Sequence, residues 1–195
     1  MRKSLLFITK LLLLFISLQG YAQRCPSHGS ATTDEKKHLN IWKNHSAKVP
    51  SIQPQVLPLN KLITRSNKPD FNKFQEGAYI VTEGYIIDFG EQGAESCNCN
   101  KASKSKKNGD VHIALVLSPR ASKKNCVVVE ITPSFKKLHP DYASYLVRGS
   151  KVRVYGYLIY DFLHESNAVN TCNACGNVWR KTCWEVHPIT KIEIL

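Results

Sequence analysis

The sequence predicts a mainly β fold in which the C-terminal part of the chain closes into a small barrel. Three observations lead to this prediction. Five β-rich segments follow one another after residue 76, one segment with helical spacing lies between the third and the fourth, and two long segments carry a central glycine, Gly84 and Gly156. Five strands with a helix between the third and fourth are the order of the oligonucleotide/oligosaccharide-binding (OB) barrel.

The strands are predicted from period-two alternation and from runs of β-branched and aromatic residues. Between the third and fourth strands, Leu138, Tyr142, Tyr145 and Leu146 stand at helical spacing, which predicts one short helix over 134–147. The five predicted strands cover 78–89, 110–117, 126–132, 151–161 and 184–195.

Alternation also predicts which side chains fill the barrel and which point outward. On the outer face we expect Asp110 and His112, then Cys126, Glu130 and Thr132, and finally Glu185 and His187 on the last strand. The predicted core residues are Val111, Ile113, Leu115, Leu117, Val127, Val129, Ile131, Val186, Ile192 and Ile194.

The region before the barrel has a different character. Residues 23–75 show no sustained period, and Pro50, Pro54, Pro58 and Pro69 would break any long element, which predicts an irregular arm. A short helix over 34–43 fits this arm, because Leu39, Ile41 and Trp42 would form one apolar stripe. The barrel domain is therefore assigned to 76–195.

The first 22 residues are typical of a secretory signal peptide. Arg2 and Lys3 precede a short apolar run at 11–18, and small residues at Gly20 and Ala22 suit cleavage after Ala22. A membrane-spanning helix is not favoured, because it needs about 20 apolar residues. We therefore expect an exported protein, periplasmic or extracellular, with no transmembrane segment after signal cleavage.

The charge balance is strongly basic. The formal net charge is +12, and loss of Arg2, Lys3 and Lys10 with the signal leaves +9 on the mature chain. Such an excess favours anionic partners, namely nucleic acid, an anionic glycan or a membrane surface. The alternative is that the charge serves solubility alone.

Cysteine usage in an exported chain predicts disulfides. The best single bridge is Cys126–Cys183, because the third and fifth predicted strands are neighbours and the two residues would lie level. Cys172 and Cys175 could bond each other, Cys97 and Cys99 are further candidates, and Cys25 is the expected unpaired thiol. Zinc at the C-x-C and C-x2-C pairs, or free thiols, are the alternatives.

Several segments together resemble a group of exported bacterial proteins with OB-like barrels and uncharacterised activity. The segments are EGYIIDFGEQGAESCNC, DVHIAL, VVVEITPS, RVYGYLIYDFLH and WEVHPITKIEI, between about residue 76 and the end of the chain. The resemblance implies export and a β-barrel, and it carries over no functional residues.

One candidate site follows from strand pairing. In the OB order, the third strand lies between the second and the fifth, so that His112, Glu130 and His187 form a row. Strands are about 4.8 Å apart, and two imidazoles with a carboxylate between them suit a zinc ion or an acid–base pair. Asp161 and His164 could approach from the rim. An ordinary cross-strand charge pairing on a solvated face is the alternative.

The ligand face of OB barrels lies over the second and third strands, flanked by the first and last hairpin loops. Tyr85 and Glu185 are further candidates for this face. The two loops, 90–109 and 163–182, would supply a basic rim that steers phosphate groups. The predicted rim residues are Lys101, Lys104, Lys106, Lys107, Arg180 and Lys181.

These patterns leave three functions open. The first is a non-catalytic module that binds an anionic polymer or a protein partner and needs no cofactor. The second is a metal-dependent hydrolase, a phosphoesterase or nuclease, with zinc held by the His112, Glu130 and His187 row. The third is a structural protein of the cell envelope. No phosphate loop, nucleophile elbow or HExxH motif is present.

Overall fold

The computed structural model describes residues 25–63, 74–100 and 109–195. The predicted signal peptide and the rim residues Lys101, Lys104, Lys106 and Lys107 lie outside the described residues. In this part of the chain, no helix combines the length and apolar character needed to cross a bilayer.

The strands are β1 (Gln55–Val56), β2 (Tyr79–Glu91), β3 (Val111–Val116), β4 (Val127–Ile131), β5 (Lys151–Tyr160) and β6 (Trp184–Ile194). The α-helices are α1 (Asp34–Lys43), α2 (Leu59–Leu62), α3 (Pro133–Leu138) and α4 (Val169–Cys172), and 3-10 turns occupy Lys123–Asn125, Tyr142–Tyr145 and Phe162–Asn167.

The strands close into the predicted barrel. Their order is β1-β2-β3-β4-β6-β5, and β5 pairs back with β2. Strands β4 and β6 run parallel, whereas β2–β3, β3–β4, β2–β5 and β5–β6 are antiparallel. The five long strands are the five predicted ones, and β1 is an addition from the arm that pairs with the start of β2. This confirms the OB-type fold class, because closure leaves the barrel without a long open edge.

The barrel interior is apolar and follows the predicted alternation. Eight of the ten predicted core residues are buried. The exceptions are Leu117 and Ile194, which are 49% and 51% exposed. Leu117 lies beyond the end of β3, and Ile194 lies at the end of β6. At these positions the side chains are no longer covered by the other strands of the barrel.

Gly156 explains how β5 bends. The register between β5 and β6 shifts on both sides of Gly156. A Cβ atom at this position would lie 2.5 Å from the carbonyl oxygen of Pro188, well inside any real contact. Only glycine therefore lets β6 approach so closely, as expected for a bend in a small barrel.

The single helix predicted over 134–147 is wrong in its extent. The segment forms α3 and then a separate 3-10 turn at Tyr142–Tyr145. Pro140 explains the break, because a residue before proline is disfavoured in the helical region, and His139 has φ −129° and ψ 79°. Thr132 begins α3 by accepting a hydrogen bond from the backbone N–H of Phe135.

The described part of the arm packs on the barrel. The predicted helix over 34–43 is present as α1, capped by Thr33. Its apolar stripe is narrower than predicted, because Leu39 is buried but Ile41 is half exposed. Further along the arm, Leu59 and Leu62 belong to the main core cluster. The arm therefore supplies core residues, and α1 lies against the barrel face that carries the candidate site.

Candidate functional site

The predicted row of His112, Glu130 and His187 exists at contact distance. His112 pairs with Glu130 in the β3–β4 register, and the β4–β6 register places Glu130 beside His187. The Nε2 atom of His112 lies 2.8 Å from Oε1 of Glu130. The Nδ1 atom of His187 lies 2.9 Å from Oε2 of the same carboxylate. One glutamate therefore bridges two imidazoles on three adjacent strands.

The strand alternation predicts that the row lies on the outer face of the barrel, in contact with solvent, but the row is largely buried. The side chains of Glu130 and His187 have no exposed area, and that of His112 is 12% exposed. The segment between β5 and β6 covers part of this outer face, where Trp179 packs against Ala114 and Cys126. On the same face, the Glu95 carboxylate lies 4.0 Å from Nε2 of His112. Only His112 reaches the solvent, so it is the member of the row that a ligand can contact.

A second set of buried charges adjoins the row. Lys43 of α1 places its Nζ atom 2.7 Å from Oδ2 of Asp161, at the end of β5. Arg180 donates a hydrogen bond from Nε to the carbonyl oxygen of Thr182 and places Nη1 3.5 Å from Oε1 of Glu185. The side chains of Asp161, Arg180 and Glu185 have no exposed area, and that of Lys43 has 5%.

Burial and neighbouring charge assign different protonation states to the buried carboxyl groups. Burial raises the pKa of Glu185 well above its ordinary value, although Arg180 acts in the opposite direction, so this group is neutral. Burial also acts to raise the pKa of Glu130, but His112, His187 and Lys43 outweigh it and hold this pKa low. These opposite shifts favour the anion at Glu130 and the uncharged form at Glu185.

Asp110 extends the row beyond His187. Its Oδ2 atom lies 3.6 Å from Nε2 of His187, whose other nitrogen contacts Glu130. Burial raises the pKa of Asp110 to about 6, although His187 opposes the shift. Burial would lower the pKa of His187, but Glu130 and Asp110 raise it.

A cleft of about 410 Å³ opens over the strands β3 and β4, with His112 on its floor. Its walls include Trp179 and His164, and each of the three ring centroids lies 6.4 Å from the other two. The rings of His112 and Trp179 are inclined by only 22°, whereas His164 stands nearly perpendicular to both. This is a three-sided aromatic enclosure on the face that OB barrels use for ligands.

The surroundings of the cleft are mostly cationic. Lys123 lies 5.3 Å from the centroid of the Trp179 ring, and the Arg180 guanidinium lies 5.5 Å from it. The one carboxylate in the lining, Asp88, is 2.6 Å from Lys123 and 2.8 Å from Arg148, so its charge is already balanced. Hydrogen bonds from Lys123 and Arg148 lower the pKa of Asp88 to about 2.

The other predicted site residues are divided between these regions. His164 lines the cleft, but Asp161 and Glu185 lie in the buried charge layer below it. Arg180, predicted as a rim residue, is fully buried. Tyr85 lies apart from the cleft, against the cluster formed by Ala114, Val116 and Cys126 and beside a separate surface groove. Lys181 donates its backbone N–H to the carbonyl oxygen of Cys126, which ties the covering segment to β4.

One of the predicted cysteine assignments is confirmed, and two are wrong: the Cys126–Cys183 bond and the unpaired Cys25. The predicted Cys172–Cys175 bond is confirmed. Cys126 and Cys183 are free, because Cys126 packs in the outer cluster with Ala114 while Cys183 belongs to the main core. Their side chains leave neighbouring strands towards different layers. Cys25, predicted as unpaired, is bonded to Cys99, and Cys97 is a buried free thiol.

Sequence reasoning missed three residues that shape this site: Trp179, Lys123 and Lys43. Trp179 lies in a loop rich in polar residues. A tryptophan in such a loop is the one sequence feature that could have indicated a wall of a ligand cleft. Lys123 precedes β4 in a pair of lysines, and such a pair is typical of a solvent-exposed loop. Lys43 comes from the arm, 118 residues before its partner Asp161, and no local pattern indicates the pairing.

Comparisons with known proteins recover only distant neighbours. No protein-family model matches the sequence, and no curated protein matches it either. Among solved structures, an OBody bound to hen egg-white lysozyme has a TM-score of 0.39 at 14% identity, with 74% of this chain and 98% of that one covered. The Entamoeba histolytica asparaginyl-tRNA synthetase has a TM-score of 0.38 at 12% identity, with 74% of this chain covered.

A putative aspartyl-tRNA synthetase from Leishmania major Friedlin has a TM-score of 0.40 at 12% identity, with 83% of this chain covered. The chain spans about a quarter of the length of these synthetases, 24% and 26%. Scores and identities in this range do not extend the neighbours' ligands to this protein.

Proposed function

We propose that this protein is an exported OB-type module that binds an anionic ligand in the cleft formed by His112, His164 and Trp179. The single observation that carries the proposal is the aromatic enclosure with Lys123 and Arg180 over its tryptophan wall. Among anionic ligands, single-stranded nucleic acid combines flat rings with phosphates, which are the two features this cleft complements. Export is supported by the two disulfides, which persist in oxidising compartments.

Ring geometry supports a flat ligand rather than a cation. A ring stacked between two others needs about 7 Å between them, because each contact takes about 3.5 Å. The nearly parallel rings of His112 and Trp179 have centroids 6.4 Å apart, so a stacked ring would need these two walls to part by about 0.6 Å or more. An aromatic enclosure can also hold a quaternary ammonium group, but Lys123 and Arg180 beside Trp179 would repel it.

The test is binding of a fluorescent single-stranded oligonucleotide and, separately, of heparin to the mature chain over a salt series. We expect oligonucleotide binding that weakens steeply with salt, since phosphate contacts release counterions. Trp179→Ala should weaken it about tenfold or more, because stacking contributes about 1–3 kcal/mol per base. Equal oligonucleotide binding by wild type and Trp179→Ala would mean that the cleft is not the binding site. Tighter binding of heparin than of the oligonucleotide would mean that the ligand is an anionic glycan and not nucleic acid.

Lys191 offers a matched control for Lys123. The two lysines are 48% and 47% exposed, each contacts one carboxylate at 2.6–2.7 Å, and each stands over an aromatic ring. Lys191 does not line the cleft. Lys123→Ala should weaken oligonucleotide binding and lower the salt slope by about one, whereas Lys191→Ala should leave both unchanged.

A second candidate function is hydrolysis of the bound ligand, favoured by the contact between His112 and Glu130. A buried carboxylate behind an imidazole that faces a cleft is the arrangement of an oriented general base. The metal-bound water of the predicted hydrolase is less well supported, because Glu130 and His187 have no exposed area through which a substrate could approach.

Incubation of the protein with matched single-stranded RNA and DNA would test this second function. Cleavage that His112→Gln abolishes without loss of binding would establish it. Binding without cleavage of either strand would leave the protein as a binding module only.

A further inference from the structure

Three side chains on neighbouring strands form a compact group of metal-ligand types below the cleft. Asp110 directly precedes β3, Glu130 lies in β4, and His187 lies in β6. One ligand atom from each residue lies within 4.8 Å of the other two. Zinc–nitrogen and zinc–oxygen bonds of about 2.1 Å place tetrahedral ligands about 3.4 Å apart, so these three atoms would draw together by about 1 Å around one ion. Glu130 and Asp110 now lie at different nitrogens of His187, so the imidazole would also turn until one nitrogen faces both carboxylates.

The contacts within this group are short but are not aligned hydrogen bonds. Both oxygens of Glu130 and both nitrogens of His187 are buried without a hydrogen-bond partner of acceptable geometry among the described residues. Yet Glu130 Oε2 and His187 Nδ1 are 2.9 Å apart, and His187 Nε2 and Asp110 Oδ2 are 3.6 Å apart. Buried polar atoms that approach one another without such bonds are expected where a common ion satisfies them.

The group is enclosed and rich in carboxylates. Asp110 and Glu130 bring two carboxyl groups to one imidazole, and the side chains of Asp110, Glu130 and His187 are 4%, 0% and 0% exposed. Two adjacent carboxylates removed from water are costly without a compensating positive charge, and one divalent ion balances both.

We infer that Asp110, Glu130 and His187 supply three ligands to a divalent transition-metal ion of the zinc class, in an enclosed site that ties the β3, β4 and β6 region together. One nitrogen of His187 ligates the ion with one oxygen from each carboxylate. The second oxygen of Glu130 stays with His112, and such outer contacts orient the ligands of a metal. His112 is thereby a neighbour of the site and remains the residue that faces the cleft.

An adjacent group, Glu95, Cys97 and Asp110, competes for the same aspartate. The thiol of Cys97 already donates a hydrogen bond to Oε2 of Glu95 at 3.2 Å. The side chain of Glu95 is also 24% exposed, which leaves it hydrated. The group with His187 is fully enclosed and has a nitrogen ligand, so it is the better zinc site.

The experiment uses the mature full chain, purified with neither a polyhistidine tag nor a chelator, and zinc alone as the probe. Elemental analysis should find close to one equivalent of metal, and competition with a chromogenic chelator should give its affinity. Asp110→Asn and Glu130→Gln, which keep side-chain size, should each weaken zinc binding at least a hundredfold. His164→Gln is the matched control, because it removes another imidazole that lies 3.7 Å from a buried carboxylate.

Cobalt substitution gives a readout that does not depend on the variants folding. Visible absorption without a thiolate charge-transfer band supports the oxygen and nitrogen ligands of Asp110, Glu130 and His187. A thiolate band would assign the ion to Cys97 and overturn the proposal. It would also be overturned by wild-type protein that neither contains metal nor takes up zinc, or by unchanged zinc affinity in both carboxamide variants. Oligonucleotide binding is measured separately, so failure of either proposal leaves the other standing.

Discussion

Two ionic clusters on the same barrel use the same residue types in opposite environments. On the face formed by β2, β5 and β6, Glu83 contacts Lys151 at 3.0 Å and Arg153 at 2.7 Å, with side chains 35–43% exposed. Under the covering segment, Lys43 contacts Asp161 at 2.7 Å with side chains 5% and 0% exposed. The ion-pair distances in the two clusters are alike. The difference in side-chain exposure therefore decides how much each contact contributes to stability.

Water screens the first cluster and competes with it, so an exposed pair contributes about 0–1 kcal/mol. In the buried cluster each charge has lost its hydration and depends on its partner. Removal of one member leaves the other uncompensated, at about 3–5 kcal/mol, even where the intact pair adds little net stability. We therefore expect the buried layer to determine whether the covering segment and α1 stay in place.

The largest expected effect is that of Lys43→Met. This change leaves Asp161 as a buried carboxylate without its nearest cation, and we expect a loss of about 3–5 kcal/mol in the free energy of unfolding. Urea denaturation followed by tryptophan fluorescence measures it. Lys151→Met is the control, since it breaks an exposed lysine–carboxylate contact of similar length. Equal losses in the two variants would contradict the comparison.

A second prediction separates two neighbouring buried carboxyl groups, those of Asp161 and Glu185. Asp161 is an anion and Glu185 is neutral, because burial raises the pKa of Glu185 whereas Lys43 outweighs burial at Asp161 and lowers its pKa. Glu185→Gln replaces one neutral group by another and should change stability by less than about 1 kcal/mol. Asp161→Asn removes the anion that balances Lys43 and should be destabilising by about 2–4 kcal/mol. The reverse order in urea denaturation would mean that the proton resides on Asp161.

The third prediction concerns acid. The pKa of Asp161 is low in the folded protein despite burial, because of Lys43 and His164. A carboxyl group with a depressed folded pKa adds stability above its unfolded pKa of about 3.9, and this stability is lost as the pH falls through the folded value. The free energy of unfolding should therefore fall below about pH 4. Denaturation curves between pH 2 and 6 should show a much smaller fall in Asp161→Asn.

Asp88 provides the exposed counterpart in the same experiment. Its pKa is lowered to about 2, first by Lys123 and then by Arg148, but its side chain is 34% exposed. Solvent screening reduces its contribution, so Asp88→Asn should change the acid profile only slightly. A profile that depends on Asp88 as much as on Asp161 would show that burial is not the deciding quantity.

The smallest expected effect is that of Glu83→Gln in the exposed cluster. The pKa of Glu83 is lowered by hydrogen bonds from Lys151 and Arg153, but its side chain is 35% exposed, so water screens these contacts. We expect a change of less than about 1 kcal/mol that shrinks further as salt is added. Thermal unfolding in low and high salt checks this. A large, salt-independent loss would mean that the exposed cluster is also structural.

Much of the barrel follows from local patterns in the sequence. The period-two alternation of 110–117 and 126–132 places His112 and Glu130 on one face, and the hairpin that joins the two strands makes them antiparallel neighbours. The parallel neighbour β6 then brings His187 to the same carboxylate. These three residues could be predicted together, because alternation selects the face and the OB order places β4 between β3 and β6.

The cover over that face could not be predicted in the same way. Trp179 and Arg180 belong to a loop without periodicity, and Lys43 comes from an arm that is remote along the chain. The pairing of Cys25 with Cys99 is equally non-local, with a sequence separation of 74. Such contacts are selected by packing between distant segments, for which composition and spacing carry no signal.

By itself, the sequence determined the five long strands and the side chains that share a face, because these depend on alternation and on turns between adjacent segments. The strand order followed from the OB pattern that these segments match. Tertiary structure alone decided that the row of His112, Glu130 and His187 is enclosed, and that only His112 opens to the cleft. The physical reason is that burial is a property of what packs over a residue. The same glutamate would be a solvated surface charge on the bare barrel, and beneath the covering segment it is the centre of a buried charge network.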